Sequence, residues 1–267
     1  MCMKISIITV TYNAEATLER TLQSVAQQTH PDVEHLIIDG ASTDHTLEIV
    51  KRYNYELLRN TASALPLRGL GGYISEPDKG LYDAMNKGLQ RATGDYLCFL
   101  NAGDKLHSKE TLAHLASSVS NSVSGSNDSP IGVLYGDTNI VDAQGQFIRN
   151  RRLTPPEHLT WRSFKEGMLV CHQAFYINRQ IALPYDTNYR FSADFDWCIR
   201  CMKEGEKRGM QNLYVHEPVA DYLAEGMTTA NHKASLKERF KIMAKHYGLL
   251  PTIGQHIWFI FRVLVKK

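Results

Sequence analysis

The stretch from Ser75 to Asp104, SEPDKGLYDAMNKGLQRATGDYLCFLNAGD, decides the fold class of this 267-residue chain. After a polar turn, apolar side chains recur at the spacing of one helix face, at Leu81, Met85 and Leu89. An apolar run at 96–100 then predicts a short buried strand, which stops at Asn101. In open α/β sheets, ligands bind at the carboxyl ends of the strands. The stretch therefore predicts that Asp104 lies at a binding site.

The preceding residues repeat the pattern of strand and helix. Apolar, β-branched runs at 5–10 and 33–39 predict two earlier strands. Two helices are predicted by apolar residues at helical spacing, at Leu18, Leu22, Val25, Leu47 and Val50. Such alternation indicates a mainly parallel sheet covered on both faces, and right-handed crossovers bring its strand ends to one side. Residues 9–13, 39–44 and 101–104 are therefore expected to line one crevice.

The rest of the chain has fewer decisive signals. Residues 60–72 are predicted to form a loop, and the Ser/Asn/Gly-rich run 117–130 a linker. A strand at 131–136, a hairpin at 140–148 and a helix at 194–204 are expected beyond it. Cys198 and Cys201 fall in that helix, and we interpret them as helix residues because no second pair completes a zinc site.

Composition excludes some classes of function. Thirty basic and 28 acidic side chains leave a net charge of +2, which does not favour a nucleic-acid partner. Five scattered cysteines favour a reducing compartment over a disulfide framework. The first strand begins almost at Met1, with no cleavage-site pattern, and no apolar run reaches the roughly 20 residues of a membrane span. We expect a cytoplasmic protein.

The loop after the first strand lacks the glycine motifs of nucleotide-binding folds. Residues 11–15 read TYNAE, which fits neither a dinucleotide fingerprint nor a P-loop. The diphosphate of a bound nucleotide would then need another source of positive charge, and Asp104 suits a divalent metal such as Mg²⁺ or Mn²⁺. The alternative is that Gly103 and Asp104 form an ordinary turn.

Three further acids and one histidine are candidates for chemistry. Asp39 ends a predicted strand, where it can accept hydrogen bonds from a nucleotide or close a turn. Asp194 and Asp196 do not share a helix face, so one of them is expected to face the crevice as a general base. His172 is a rival base, and a structural histidine is the alternative reading.

Four ordered motifs carry a resemblance to a known family: IITVTYN at 7–13, DGASTDHT at 39–46, SEPDKGLYDAMNKG at 75–88 and FLNAGD at 99–104. The chain resembles the inverting GT-A glycosyltransferases of family 2. Its motifs are most similar in sequence to those of bacterial members that assemble surface polysaccharides, including the colanic-acid type. The resemblance is dense over 4–104 and extends to about 230.

The resemblance implies an α/β fold of the GT-A (Rossmann-like) type, with a mixed, mainly parallel sheet flanked by helices. Its catalytic domain would span 1–230, with a nucleotide-sugar half at about 1–116 and an acceptor half at about 130–230. A C-terminal helical extension, 231–267, would follow. The implied reaction moves a sugar from a nucleoside-diphosphate sugar to a saccharide or lipid-linked acceptor, with Mg²⁺ or Mn²⁺ as cofactor.

The same resemblance implies a role for each matching residue. Asp104 would be the metal ligand, with Asn101 standing where the family's motif has its first acid. Asp194 would be the general base, with Asp196 in reserve, and residues 222–228 would close over the site. The donor-binding residues would be Thr11, Tyr12, Asn13, Asp39, Asp78, Gly80, Asp83, Asn86, Asn101, Ala102 and Gly103.

The apolar and basic end of the chain has two readings. Residues 253–267 could lie at the inner face of the cytoplasmic membrane, near a lipid-linked acceptor. They could instead pack on the catalytic domain or on a second copy in a homo-oligomer. Two rival functions also stay open, a non-catalytic nucleotide-sugar binding protein and a sugar nucleotidyltransferase, although the latter usually has a glycine-rich basic loop after the first strand.

Overall fold

A computed structural model of the chain describes residues 2–60, 70–123, 129–224 and 232–265. A nine-stranded sheet lies at its centre, in the order β3-β2-β1-β4-β8-β6-β9-β5, with β7 paired to β6. The strands are β1 Ile5–Thr11, β2 Val33–Asp39, β3 Leu70–Ser75, β4 Tyr96–Phe99, β5 Lys105–Leu106, β6 Ile131–Val141, β7 Phe147–Asn150, β8 Phe175–Asn178 and β9 Gln211–Leu223. The helices are α1 Leu18–Ala26, α2 Thr46–Asn60, α3 Leu81–Arg91, α4 Thr111–Val123, α5 Ala193–Lys207, α6 His232–Tyr247 and α7 Leu249–Val265.

The first four strands form the parallel half of the sheet. β1 pairs in parallel with both β2 and β4, and β2 pairs in parallel with β3. Every residue of β1 and β2 is buried, as their apolar, β-branched sequences predict for strands covered on both faces. A Cβ on Gly88 of α3 would lie 2.4 Å from Ile8 Cγ2, so glycine allows α3 to lie directly on the sheet. The register sets Thr11 opposite Asp39, which aligns the ends of β1 and β2 at one edge.

The second half of the sheet is mixed. β8 runs antiparallel to β4 and to β6, while β9 runs parallel to β6. The predicted hairpin is confirmed as β6 and β7, joined through Asp142 and Gly145. The two-residue strand β5, immediately after Asp104, pairs antiparallel with β9 at Ala220 and Asp221. This pairing brings the end of β9 beside the strand end that carries Asp104.

Two predicted irregular segments are partly regular. Residues 117–123 of the expected linker belong to α4, and 124–128 lie outside the described residues. The hydroxyls of Ser117, Ser118 and Ser120 donate to carbonyls four residues earlier, which satisfies these polar side chains within the helix. In the expected loop at 60–72, β3 begins at Leu70, and 61–69 lie outside the described residues.

The C-terminal extension consists of two helices, α6 and α7, separated at Gly248. Its φ of +91° is a conformation that favours glycine and ends α6. Within the ranges that the structure describes, no helix combines the length and the apolarity needed to cross a membrane. Cys198 and Cys201 lie buried in α5 as free thiols.

Candidate active site

A crevice of about 1160 Å³ opens at the carboxyl ends of β1, β2 and β4, where the strand pattern predicts a site. Its walls also include the start of α3, the start of α5 and the end of β9. Nine of the residues predicted from the sequence line it: Thr11, Tyr12, Asp78, Gly80, Asp83, Asn101, Ala102, Asp104 and Asp194.

One wall of the crevice, which we call the donor side after the residues predicted there, brings the loop after β2 against Asp78. A Cβ on Gly40 would lie 2.4 Å from Asp78 Oδ2, so any larger residue would displace the Asp78 carboxylate. Asp78 in turn accepts the Gly80 amide at 2.8 Å and shapes the entry to α3. The first turn of α3 opens into the crevice, and helix N-termini favour anions such as phosphate.

Three predicted donor-binding residues hold loops together instead of lining the crevice. Asp39 is buried, and its carboxylate accepts the Ser75 hydroxyl at 2.6 Å. Asn13, at φ +47°, accepts the Thr43 amide at 2.9 Å and so joins the loops after β1 and β2. The side-chain amide of Asn86 accepts a hydrogen bond from the Tyr185 backbone N–H at 2.7 Å and donates one to the Tyr185 carbonyl at 3.0 Å. Nucleotide contacts by these three side chains stay predictions.

Gly103 has a steric role next to the crevice. Its φ of +102° favours glycine, and a Cβ there would lie 3.0 Å from Leu223 Cδ2. Its amide donates to Thr21 Oγ1 at 2.9 Å. Gly103 therefore lets the chain turn sharply between Asn101 and Asp104 while β9 packs against the turn.

Asp104 is buried at the base of the crevice. Its Oδ2 accepts the side-chain amide of Gln173 at 2.6 Å, and its Oδ1 accepts the backbone amide of Leu223 at 3.0 Å. Burial raises the pKa of Asp104 to about 6, although these two hydrogen bonds act in the opposite direction. A carboxylate in this position gains much from a nearby cation.

Asn101 supports the expectation of a divalent cation beside Asp104. Its Oδ1 is buried and has no hydrogen-bond partner among the described residues, which is costly for a polar atom. A carboxylate and a neutral amide oxygen are ligands that Mg²⁺ and Mn²⁺ accept. Within the described ranges no group of three or more His, Cys, Asp or Glu side chains converges. Two protein oxygens, completed by phosphate and water, fit the donor set that Mg²⁺ takes in nucleotide sites.

Asp194 lies in the first turn of α5 and faces the same crevice. Its Oδ1 accepts the Tyr82 hydroxyl at 3.2 Å and its own helix's Phe195 amide at 2.9 Å, while His172 Nδ1 lies 3.4 Å from Oδ2. Burial alone would raise the pKa of Asp194, but the hydrogen bonds from His172 and the Phe195 amide, together with the charge of Arg239, outweigh it and hold the pKa below its usual value. The carboxylate is therefore ionised at neutral pH.

Asp196 points away from the crevice, into the contact between α5 and α6. It is fully buried and is bonded to Arg200, Lys245 and His246. Burial opposes its ionisation, but these partners hold the pKa of Asp196 far below its usual range. The side chain joins two helices and does not line the crevice, so the geometry favours Asp194 as the base.

The wall opposite the donor side was not predicted from the sequence. Thr187, Tyr189, Arg190 and Phe191 line it, on the segment before α5. Glu238 of α6 holds this wall by accepting the backbone amides of Arg190 and Phe191, at 2.9 and 2.8 Å. No sequence motif marks the pairing, because Glu238 lies 48 residues beyond Arg190.

His172 and Gln173 are also crevice residues, although the sequence analysis assigned Gln173 no role. They begin a short 3₁₀ turn at His172–Ala174, directly before β8. His172 was predicted as a rival base, and the position of a second polar residue within the otherwise apolar run 168–177 is the signal that could have identified Gln173.

The chain matches one family model and many individual proteins. The model described as Glycosyl transferase family 2 matches residues 6–183. A PGL/p-HBAD biosynthesis glycosyltransferase of Mycobacterium bovis (strain BCG / Pasteur 1173P2) is 34% identical over 224 residues, which cover 81% of this chain and 75% of that protein. The amylovoran biosynthesis glycosyltransferase AmsB of Erwinia amylovora is 27% identical, over 85% of this chain and 72% of that protein.

Solved structures share the fold. S. aureus TarS 1–349 in complex with UDP-GlcNAc superposes with a TM-score of 0.66 at 17% identity, over 96% of this chain and 73% of that one. The mannosyltransferase PcManGT from Pyrobaculum calidifontis, in complex with GDP-Man and Mn²⁺, gives 0.58 at 16% identity, over 96% and 74%. These likenesses confirm the expected GT-A fold. Since the family model spans more than half of the sequence and a relative of known class is 34% identical over 81% of it, the chain belongs to glycosyltransferase family 2.

Proposed function

We propose that this protein is an inverting, metal-dependent glycosyltransferase that moves a sugar from a nucleoside-diphosphate sugar to a hydroxyl of a lipid-linked saccharide in surface polysaccharide biosynthesis. The observation that carries the proposal is the position of Asp194. Its carboxylate is ionised and faces the crevice that also contains Asp104 and Asn101. A general base on one side and an oxygen ligand set on the other are the two parts that a single displacement needs.

The residues of the crevice support a stepwise account of the reaction. Asp194 accepts the proton of the acceptor hydroxyl, whose oxygen then attacks the anomeric carbon. As that bond forms, the bond from the anomeric carbon to the diphosphate breaks on the opposite side, and the diphosphate leaves with the electron pair. One displacement inverts the configuration at the anomeric carbon.

Asp104 and Asn101 would hold a divalent metal on the diphosphate side. A bound cation there supplies positive charge that stabilises the leaving diphosphate. The chain would add to this charge through the N-terminus of α3 and through Lys79, which lines the crevice. The Mn²⁺ and GDP-Man found with PcManGT support this expectation, as does the UDP-GlcNAc found with TarS.

The choice of acceptor rests on the C-terminal helices. Five apolar side chains recur on one face of α7 and are 40–81% exposed: Leu250, Ile253, Ile257, Trp258 and Phe261. We call this set the α7 face. The other side of α7 packs on α6, where His256 contacts Phe240 with ring centroids 5.0 Å apart. On α6, exposed lysines at 233, 237 and 241 share a face by their four-residue spacing. Apolar and basic surfaces together suit an anionic membrane, where lipid-linked acceptors reside.

Relatives named for amylovoran biosynthesis and for PGL/p-HBAD biosynthesis support the assignment to surface glycoconjugates. The sugar and the nucleotide base are to be found by a thermal-shift panel of UDP- and GDP-sugars with Mg²⁺ or Mn²⁺. Transfer from the best donor to a lipid-linked acceptor, followed by NMR of the product, then tests the stereochemistry. A product with the donor's anomeric configuration would contradict a single displacement.

Thermal shifts combined with assays of the released products separate the rival functions. A nucleotide-sugar binding protein would shift in melting temperature with a donor and yet release no nucleoside diphosphate, even in the presence of Mn²⁺. A nucleotidyltransferase would release pyrophosphate from a nucleoside triphosphate and a sugar phosphate. Asp104→Ala provides the matched variant: we expect it to weaken Mn²⁺-dependent donor binding, and unchanged affinity would exclude Asp104 as the ligand.

A further inference from the structure

The His172 imidazole lies between the donor side of the crevice and the base. Its Nε2 is 3.2 Å from the Asn101 amide nitrogen, and its Nδ1 is 3.4 Å from Asp194 Oδ2. The side chain is only 11% exposed, so protein groups, more than water, determine its hydrogen bonds. One ring therefore contacts both halves of the site.

These contacts select one form of the ring. The side-chain nitrogen of Asn101 can only donate, so His172 Nε2 accepts. An ionised carboxylate can only accept, so Nδ1 carries the proton toward Asp194. The neutral tautomer with the proton on Nδ1 satisfies both neighbours at once.

The orientation of Asn101 follows from the same contact. Because its nitrogen is turned toward His172, its Oδ1 is turned away and is left buried without a partner in the described chain. The next residue, Gln173, orients Asp104 in a similar way: Cys171 Sγ donates to Gln173 Oε1 at 2.9 Å, which leaves Gln173 Nε2 for Asp104. The segment 171–173 thus fixes both proposed metal ligands.

We propose that His172 is a positioning residue that couples the two halves of the site, since its Nε2 presents the Asn101 oxygen to the metal and its Nδ1 orients the Asp194 carboxylate toward the acceptor. This role rests on the proposed function. Residues that orient metal ligands are typically worth about 10- to 100-fold in metal affinity.

Two substitutions separate the two contacts of the ring. His172→Asn retains an amide N–H near the position of Nδ1 and has no group at the position of Nε2. His172→Gln retains an amide oxygen near the position of Nε2 and lacks the donor to Asp194. His114→Asn is the matched control, because His114 is exposed on α4 and pairs with Glu217, outside the crevice lining.

Two quantities are measured for each variant: Mn²⁺ affinity in the presence of UDP or GDP, from the loss of the free Mn²⁺ electron paramagnetic resonance signal, and kcat for transfer at saturating Mn²⁺. We expect His172→Asn to weaken Mn²⁺ binding about tenfold or more and to keep kcat within about threefold. We expect His172→Gln to keep the Mn²⁺ affinity and to lower kcat about tenfold or more. His114→Asn should change neither quantity.

If His172→Asn and His172→Gln lower the Mn²⁺ affinity and kcat to the same extent, the coupling role is overturned and His172 is a structural residue. If the wild type binds Mn²⁺ with a nucleoside diphosphate but transfers no sugar, the proposed function fails and the Asp194 part fails with it, while the Mn²⁺ measurements still decide the Asn101 part. If the wild type binds no Mn²⁺, the Asn101 part is wrong and kcat decides the Asp194 part.

Discussion

The Tyr82 hydroxyl donates a hydrogen bond to Asp194 Oδ1 at 3.2 Å, which joins residues 112 positions apart in the chain. Tyr82 lies in the first turn of α3 on the donor side, and Asp194 lies in the first turn of α5. The carboxylate is therefore held from the donor side, and its position near a helix N-terminus further favours the ionised form. The Asp194 carboxylate is thus ionised and held in one orientation, as its proposed role as general base requires.

The first prediction concerns that base. We expect Asp194→Asn to lower kcat by about 10²- to 10⁴-fold, because the amide cannot accept the proton of the acceptor hydroxyl. The affinity for donor, measured by calorimetry with Mn²⁺, should change little. Tyr82→Phe should lower kcat only about fivefold, because one hydrogen bond of about 1 kcal/mol is lost while the Phe195 amide still orients Oδ1. Near-normal turnover of Asp194→Asn would show that another group is the base.

The second prediction concerns Asp196, the reserve candidate for the base. Because Asp196 is buried among Arg200, Lys245 and His246, Asp196→Asn should lower the free energy of unfolding by about 3–5 kcal/mol. The kcat of the folded fraction should change far less than in Asp194→Asn. Urea unfolding measures the stability, and Glu206→Gln is the control, since Glu206 and its partner Arg162 are both exposed and solvent screens their interaction. A stable but inactive Asp196→Asn would reverse the two assignments.

The parallel half of the fold could be predicted from sequence because its signals are local. β2 runs from Val33 to Asp39 as predicted, and the strand ends at Thr11, Asp39 and Asn101 all follow buried apolar runs. Once the parallel order is assumed, the crevice with Asp104 follows from the geometry of the sheet. The residues alone left Asp194 and Asp196 as alternative bases, and the resemblance selected Asp194.

In the second half, β8 and β9 were not predicted, because their pairing is long-range. β9 carries Asn212, His216, Glu217 and Pro218, which do not indicate a strand, and its register with β6 is irregular. Whether such a strand forms depends on its distant pairing partners and on bulges, and not on the alternation of apolar and polar residues alone. For the same reason, the sequence could not show that Asn86 binds the main chain of Tyr185, 99 residues away.

The third prediction concerns the wall at 187–191. Glu238→Ala removes the acceptor of two consecutive backbone amides, at Arg190 and Phe191, so the wall should lose its fixed conformation. We expect the KM for the saccharide acceptor to rise about tenfold while the donor affinity stays unchanged. The reason is that the two lost hydrogen bonds stabilise the ordered wall by about one to two kcal/mol. Ala234→Ser, an exposed substitution on α6 outside the lysine face, is the control. Equal effects on donor and acceptor would mean that α6 stabilises the whole site.

The fourth prediction concerns pH and a buried histidine. His35 is almost completely buried between Thr9 and Tyr53, and burial lowers its pKa from 6.5 to about 3. Between pH 6.5 and 3 the unfolded chain therefore binds a proton at His35 that the folded chain does not bind. The contribution of neutral His35 to the free energy of unfolding is fully present above pH 6.5 and is lost as the pH falls toward 3. The loss is about 1.4 kcal/mol per pH unit, or about 2 kcal/mol at pH 5.

His35→Gln isolates this contribution, because glutamine keeps polar atoms for both partners and does not titrate. Urea unfolding of wild type and variant at pH 7 and pH 5 gives the comparison. The wild type should lose about 2 kcal/mol more than the variant over this interval. An equal loss in both proteins would mean that His35 is already protonated in the folded state.

The fifth prediction concerns the α7 face. Trp258 and Phe261 are 53% and 54% exposed on this face, and burial of the exposed half of each side chain in a lipid interface is worth about 1 kcal/mol. Trp258→Glu with Phe261→Glu should therefore lower partitioning to anionic phospholipid vesicles by tenfold or more in a sedimentation assay. Gln255→Glu adds a charge to the same helix away from the face and should reduce binding only slightly, by about 1 kcal/mol or less at physiological salt. If the double substitution leaves vesicle binding intact but converts a dimer to a monomer in sedimentation velocity, the α7 face binds a second copy of the chain and not a membrane.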